Sequence, residues 1–229
     1  RSSDLYNLGG SALFQSNNKV GKKCNDIKST KYFKKIFDSI QIAIKKDLIY
    51  SGHDISSGGL ITCLLEMCFV SDDLGLNVNL SNVNEKDIIK LLFSENHGII
   101  FQANKEIEKH LSSEDIRFIN IGSCEKSDYL MISKNDFKLN LDINYYRKIW
   151  FKKSYLFDKL QSGKTKAKER FDNISSSKLN FKFPKWFESK FNFKANKKIK
   201  AAIIRDKGSN SEREMAYAMH ISGFEVRDV

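Results

Sequence analysis

The sequence predicts a mixed α/β fold, and three patterns carry that prediction. Short apolar stretches of strand length alternate with segments whose apolar residues recur every three or four positions. Glycine pairs, Gly9-Gly10 and Gly58-Gly59, stand immediately before helical patterns. Residues 199–229 read as strand, loop, helix, strand. At 229 residues, 41% of them hydrophobic, the chain is long enough for a real core in one large or two small domains.

The elements follow in order. Residues 8–17 form a short helix entered through Gly9-Gly10. In residues 30–47, Phe33, Ile36, Phe37, Ile40 and Ile44 repeat at helical spacing, with Thr30 as the cap. Leu48-Ile49-Tyr50 is a short buried strand running into Gly52-His53-Asp54. The helix opened by Gly58-Gly59, LITCLLEMCFV, is apolar nearly all round and is therefore expected to be buried. In residues 75–80, Leu76, Val78 and Leu80 alternate onto one strand face. Asn84 caps a helix reaching Phe93, and residues 98–102 form a buried strand. Residues 105–111 are a helix, 117–121 a strand and 129–141 a hairpin. Residues 144–161 are an amphipathic helix carrying Trp150, Tyr155 and Leu156. Residues 162–198 show no clean period. The last unit has strands at 201–205 and 224–229 flanking a helix at 211–222, with Ser211 and Glu214 spaced as a capping box. It reads as the opening βαβ of a doubly wound sheet, too short to complete one, so an internal piece of a larger polypeptide is expected.

Composition narrows the function classes. The longest apolar run, Gly58 to Val70, contains Glu66 and is too short to span a bilayer. With no export signal visible, a cytoplasmic protein with free thiols at Cys24, Cys63, Cys68 and Cys124 is expected. The net charge of +11 raises nucleic acid as a partner. That charge is local, however: residues 151–200 hold 15 Lys+Arg against 4 Asp+Glu, and the remainder holds 24 of each sign. The basic residues are 32 Lys and only 7 Arg, and Arg is the residue suited to forked phosphate and base contacts. Lysines interleaved with Phe181, Phe183, Trp186, Phe187, Phe191 and Phe193 suit a single-strand stacking surface. A linker with docked aromatics and solvated lysines is the favoured reading, with no nucleic acid and no membrane as partners.

The sharpest chemical feature is Gly52-His53-Asp54-Ile55-Ser56-Ser57-Gly58-Gly59. It sets a carboxylate and hydroxyls on a turn between a strand and a helix, where glycines allow close approach and free helix N–H groups favour phosphate. Asp54 there suits Mg²⁺ held against phosphate oxygens. Equally, Asp54 or Ser56 serves as a plain helix cap, and spacing alone leaves both readings open. His53 reads as a hydrogen-bonded core residue rather than a base. Glu66, in an apolar helix, requires a partner. Ser94-Glu95-Asn96-His97-Gly98 puts polar groups at a helix-to-strand turn, read as a simple turn in preference to a lining of the same cleft. No catalytic residue is assigned within the chain.

LGGSAL (8–13), GHDISSGGLITCLLEMCF (52–69), LFSENHGIIFQ (92–102), WFKKSYLFDKLQSG (150–163) and AAIIRDKGSNSEREMAYAMHISGFEVRDV (201–229) together resemble the phosphoribosylformylglycinamidine synthase family, in its large single-chain form. The resemblance implies a second aminoimidazole-ribonucleotide-synthetase-like C-terminal domain at 1–161, with a mixed sheet and flanking helices. It further implies a basic aromatic linker at 162–198 and the truncated start of a class I glutamine amidotransferase domain at 199–229. The activity implied is the ATP-dependent ligation that converts formylglycinamide ribonucleotide and glutamine to formylglycinamidine ribonucleotide, glutamate, ADP and phosphate in purine synthesis. ATP activates the amide oxygen as an iminophosphate, and ammonia from glutamine displaces the phosphate.

The same resemblance implies an auxiliary ATP/ADP and Mg²⁺ site, with Asp54 as a magnesium ligand and Ser56 contacting the nucleotide. Ser57 stands where many members carry Asp, which removes a second possible carboxylate. The remaining magnesium ligands would lie before Arg1 and the glutaminase Cys, His and Glu after Val229. The segment would then be inactive alone, within a monomeric multidomain chain. Another ATP-dependent enzyme of the same synthetase superfamily, and a basic nucleic-acid-binding module centred on 162–198, are the competing readings.

Overall fold

The computed structural model describes residues 6–174, 182–186 and 199–228. The chain divides into two compact units, Arg1–Ser177 and Lys178–Val229.

In the first unit the order is α1 (Ala12–Ser16), α2 (Thr30–Lys45), β1 (Ile49–Asp54), α3 (Gly59–Cys68), β2 (Leu74–Asn79), α4 (Ile88–Phe93), β3 (Ile99–Ala103), α5 (Glu106–Ser113), β4 (Gly122–Lys126), β5 (Tyr129–Lys134), β6 (Phe137–Asp142), α6 (Ile143–Gln161) and α7 (Lys164–Asp172). The main sheet runs β4-β2-β5-β6; β2 and β5 are parallel and the other neighbours antiparallel, so the sheet is mixed as expected. β1 and β3 form a separate antiparallel pair in which His53 faces Ile100 and Asp54 faces Ile99.

Two apolar clusters hold these layers. The larger joins Leu60, Cys63, Leu64 and Cys68 of α3 to Val78, Leu130, Ile132 and Leu141 of the sheet and to Leu91 and Leu92 of α4. The smaller joins Ile40 and Ala43 of α2 to Ile107 and Leu111 of α5. β3 lies between them, with Ile100 against the first and Phe101 and Ala103 against the second. Burial of most of α3 follows from its nearly all-round apolar sequence, with Thr62, Glu66 and Met67 partly exposed.

Several boundaries differ from the sequence expectation, each for a local reason. Ser29, not Thr30, caps α2, accepting from the Tyr32 amide at 3.2 Å. Asp87, not Asn84, caps α4, because its carboxylate takes both the Ile89 and Lys90 amides. Residues 117–121 are not a strand. Ile116 drops into the smaller cluster, Phe118 and Ile119 stay open, and Asn120 turns the chain by accepting the Gly122 amide. The strand is Gly122–Lys126, an edge strand whose register is set by backbone pairing with β2. β1 and β3 are not buried strands either, and Tyr50 is 66% exposed, because a two-stranded pair cannot cover both of its faces. Part of the stretch without period, Lys164–Asp172, is helical. Phe171 stacks on Tyr155 at 4.7 Å and Arg170 pairs with Asp158 of α6. Of the aromatic series, Phe183 and Trp186 are exposed, while Phe181, Phe187, Phe191 and Phe193 fall outside the described residues.

The second unit contains β7 (Ile199–Ile203), α8 (Glu212–Ile221) and β8 (Phe224–Asp228), with the strands parallel as a βαβ unit requires. Ser211 precedes α8 at φ 69° and its side chain makes no cap bond, so the spacing with Glu214 does not become a capping box.

Candidate functional site

The chain leaves β1 at Asp54 and enters α3 at Gly59, and the corner between them is held from three sides. The Ile55 amide donates to the Gly98 carbonyl at 2.8 Å, which anchors the exit of β1 to the entry of β3. Ser56 and Ser57 are exposed, and the Ser56 carbonyl accepts the Gly59 amide at 3.0 Å. Gly58 is the N-cap, at φ 87° and with no side-chain cap bond. A Cβ on Gly59 (φ 75°) would stand 2.7 Å from the Leu92 carbonyl oxygen, so the start of α3 presses against the end of α4 through a glycine.

The third hold is Glu95. Its Oε1 accepts the Gly58 amide at 2.9 Å and the Ala12 amide at 2.7 Å. Beside it, buried Ser94 donates to the Asn7 carbonyl at 3.2 Å and accepts from Asn25 Nδ2 at 2.9 Å. Residues 94–98 are therefore not a simple turn. They form the junction at which the segments 7–12 and 52–59, remote in sequence, are brought together. Glu95 was missed because its partners are backbone amides far away in the chain. The available signal was a polar run between two apolar elements. Glu95 takes one of the N–H groups that the sequence offers at the start of α3. The Gly58 and Gly59 amides are both taken from inside the protein.

Neither Asp54 nor Ser56 caps α3, which removes the capping reading for both. The Asp54 side chain is 74% exposed and lies 3.7 Å from His53 Nδ1. His53 Nδ1 donates to the Asp54 carbonyl at 2.7 Å, since a carbonyl only accepts. His53 Nε2 lies 3.0 Å from Glu66 Oε2, so each supplies the partner that the sequence required for the other. Cys63 closes the group from α3, its thiol directed at the His53 carbonyl at 3.9 Å. Burial, with the Glu66 and Asp54 charges added, pushes that thiol up to about 12. It is inert as a nucleophile or metal ligand near neutral pH.

A single carboxylate beside exposed hydroxyls fits one edge of a shared site and not a closed metal cage. Among the described residues no group of three His, Cys, Asp or Glu side chains is placed to hold a metal ion. Magnesium takes one or two carboxylates with phosphate oxygens and water, and Asp54 fits one such position. Among the described residues no helix is long and apolar enough to cross a membrane.

Residues 4–129 match the family described as AIR synthase related protein, C-terminal domain. The chain belongs to this family. The matched stretch contains the whole corner, from the Gly9-Gly10 turn through Asp54 and Ser56 to Glu95. Among curated proteins, the chain is 33% identical over 97% of its length to the probable phosphoribosylformylglycinamidine synthase, chloroplastic/mitochondrial, of Arabidopsis thaliana. It is 32% identical over 97% to the Dictyostelium discoideum phosphoribosylformylglycinamidine synthase and 30% identical over 98% to the human one. It spans 16%, 18% and 17% of those three relatives. Among solved structures, PurLQS from Thermotoga maritima aligns with 60% of this chain and 24% of its own, at 12% identity and a TM-score of 0.47. The family and the mixed sheet with flanking helices agree with the fold class expected for the first unit.

Proposed function

We infer that the chain serves as one part of an ATP-dependent carbon–nitrogen ligase of purine biosynthesis. The reaction converts formylglycinamide ribonucleotide, glutamine and ATP to formylglycinamidine ribonucleotide, glutamate, ADP and phosphate. The support is family membership of residues 4–129 together with three synthases that the chain matches along nearly its whole length. Its own share of the work is an auxiliary nucleotide site. Asp54 gives one magnesium ligand and Ser56 a hydroxyl to the nucleotide, and bound Mg²⁺ would neutralise phosphate charge there. The second unit is the start of the glutamine amidotransferase part, and the segment by itself turns over no substrate.

The observation that carries the site is the release of Asp54 and Ser56 from capping. A backbone glycine caps the helix, and Glu95 and the Ser56 carbonyl occupy its first amides. The carboxylate and the hydroxyl are thus exposed on a corner fixed from three sides. Residues kept in such a frame without a structural duty are suited to a ligand.

The test uses the intact synthase polypeptide carrying this segment. Wild type is expected to form formylglycinamidine ribonucleotide with glutamine as nitrogen donor and to retain nucleotide and magnesium through purification. Asp54→Asn is expected to lose both of the retained species and to unfold at lower temperature. Unchanged nucleotide content and unfolding temperature in Asp54→Asn would overturn the Asp54 assignment.

A further inference from the structure

Glu66 is the odd residue of α3. Leu60, Cys63, Leu64 and Cys68 are buried around it, and its own side chain is only 20% exposed. An apolar residue would occupy this position without the desolvation that a carboxylate suffers. What Glu66 gains is one contact, the 3.0 Å approach of its Oε2 to His53 Nε2. His53 uses its other nitrogen on the carbonyl of the next residue, Asp54, at 2.7 Å. The chain of contacts therefore runs from the middle of α3, through an imidazole, to the peptide that follows Asp54. The Ile55 amide of that same peptide is pinned to Gly98. With its carbonyl and its N–H both held, this peptide plane is restrained, and the direction in which the Asp54 side chain leaves the backbone is restrained with it.

We propose that His53 and Glu66 are positioning residues that aim the Asp54 carboxylate for metal–nucleotide binding. The proposal rests on the reading of Asp54 as a magnesium ligand. Neither residue touches the metal or the nucleotide; they act through the Asp54 backbone. His53 is one step removed from the ligand residue and Glu66 two, and outer partners of a ligand typically change metal affinity by about 10–100-fold when lost. Glu66→Gln keeps a polar group against Nε2, its oxygen accepting from a protonated Nε2 or its NH₂ donating to an unprotonated one, so it is expected to preserve the brace, whereas Glu66→Leu removes it while filling the same space.

The experiment is binding of Mn²⁺–ADP to the intact polypeptide, followed by the Mn²⁺ electron paramagnetic resonance signal, which reports the metal's ligand symmetry. Glu66→Leu and His53→Phe are each expected to weaken binding about tenfold and to alter the spectrum. Glu66→Gln is expected to bind within about twofold of wild type with the native spectrum, because its amide can pair with Nε2 as acceptor or donor. The half-exposed position of His53 makes His53→Phe the variant that tests the brace should Glu66→Leu fold poorly. Asp54→Asn separates the two readings. If it binds normally, the Asp54 ligand reading falls, and this proposal with it. If it is defective while Glu66→Leu and His53→Phe both bind normally, only the brace is overturned. A spectrum altered to the same degree in Glu66→Gln as in Glu66→Leu would also overturn it.

Discussion

Glu95 accepts the amide of Gly58 at 2.9 Å, across 37 residues of sequence, with the same oxygen that takes the Ala12 amide. One carboxylate thereby fixes the start of α3 to the start of α1. At each of two helix entries, one N–H group is taken by a residue from a third segment. The corner carrying Asp54 and Ser56 is consequently held by the tertiary fold and not by its own local sequence.

Removal of that acceptor is expected to loosen the corner measurably. Glu95→Ala leaves two partly buried amides without a partner, each costing about 1–3 kcal/mol, for a total loss of about 2–6 kcal/mol. Glu95→Gln keeps an oxygen in the same place and is expected to lose no more than about 1 kcal/mol, the charge assistance of the bonds. Urea unfolding of the chain, read as a shift in midpoint at constant slope, separates the two variants.

What was legible in the sequence tracks how local the determining physics is. α3 could be read from its apolar residues alone, because a helix apolar on nearly every side has to be buried. The 129–142 hairpin followed from alternation in two adjacent runs. The caps at Ser29 and Asp87 were each missed in favour of a nearby polar residue, since which side chain reaches the second or third amide depends on how the chain enters the helix. β4 was misplaced because an edge strand takes its register from the backbone of β2, and residues 122–126 carry no apolar alternation to reveal it. Asp54 and Ser56 could be singled out by residue type and resemblance, but only the glycine cap at Gly58 freed them from capping. Glu95 was illegible because both of its bonds are long-range.

Arg147 is the second point where one side chain ties remote segments. It is 2% exposed; one guanidinium nitrogen meets Asp72 and Asn144 at 3.0 Å each, and another meets the Ser71 and Cys68 carbonyls. α6 is thus fastened to the last residue of α3 and to the loop that follows it. Arg147→Ala is expected to destabilise by about 3–5 kcal/mol, since Asp72 and the Ser71 carbonyl lose their guanidinium donor together. Arg147→Lys is expected to recover part of the loss, one ammonium being unable to reproduce the planar fork. Thermal unfolding of the three proteins side by side is the check.

The four free cysteines are expected to divide sharply by reactivity. Cys24 is exposed, whereas Cys63 and Cys68 are buried and their thiols are pushed up to about 12, by burial first in both. Cys124 is partly buried and is raised by the same cause. A raised thiol stays protonated near about pH 8, and the protonated form does not attack. With a coloured disulfide reagent at that pH, Cys24 is expected to react at once and Cys124 slowly. Cys63 and Cys68 are expected to react only after denaturant is added, and peptide mapping assigns each phase. Fast modification of Cys63 in the folded chain would contradict the packing of α3 against β1.

The α6–α7 hairpin is expected to weaken in acid through Asp158. Arg170 grips its carboxylate with two bonds, at 2.9 and 2.6 Å, and Ser162 adds a third at 2.8 Å. These hold the Asp158 pKa below its ordinary 3.8, the hydrogen bond from Arg170 being the largest cause and that from Ser162 the next. A carboxylate with a lowered folded pKa binds its proton more readily in the unfolded chain. Its contribution is therefore complete above the ordinary carboxylate range and drains away as pH falls below about 4 toward the lowered folded value. Asp158→Asn is expected to lack that component: its stability, measured by urea unfolding from about pH 6 to about pH 2.5, should fall less steeply than wild type. The pair lies at the surface, so added salt should narrow the difference between the two proteins at neutral pH. Parallel pH profiles for wild type and Asp158→Asn would show that the hairpin draws nothing from this contact and is held by the Tyr155–Phe171 stack instead.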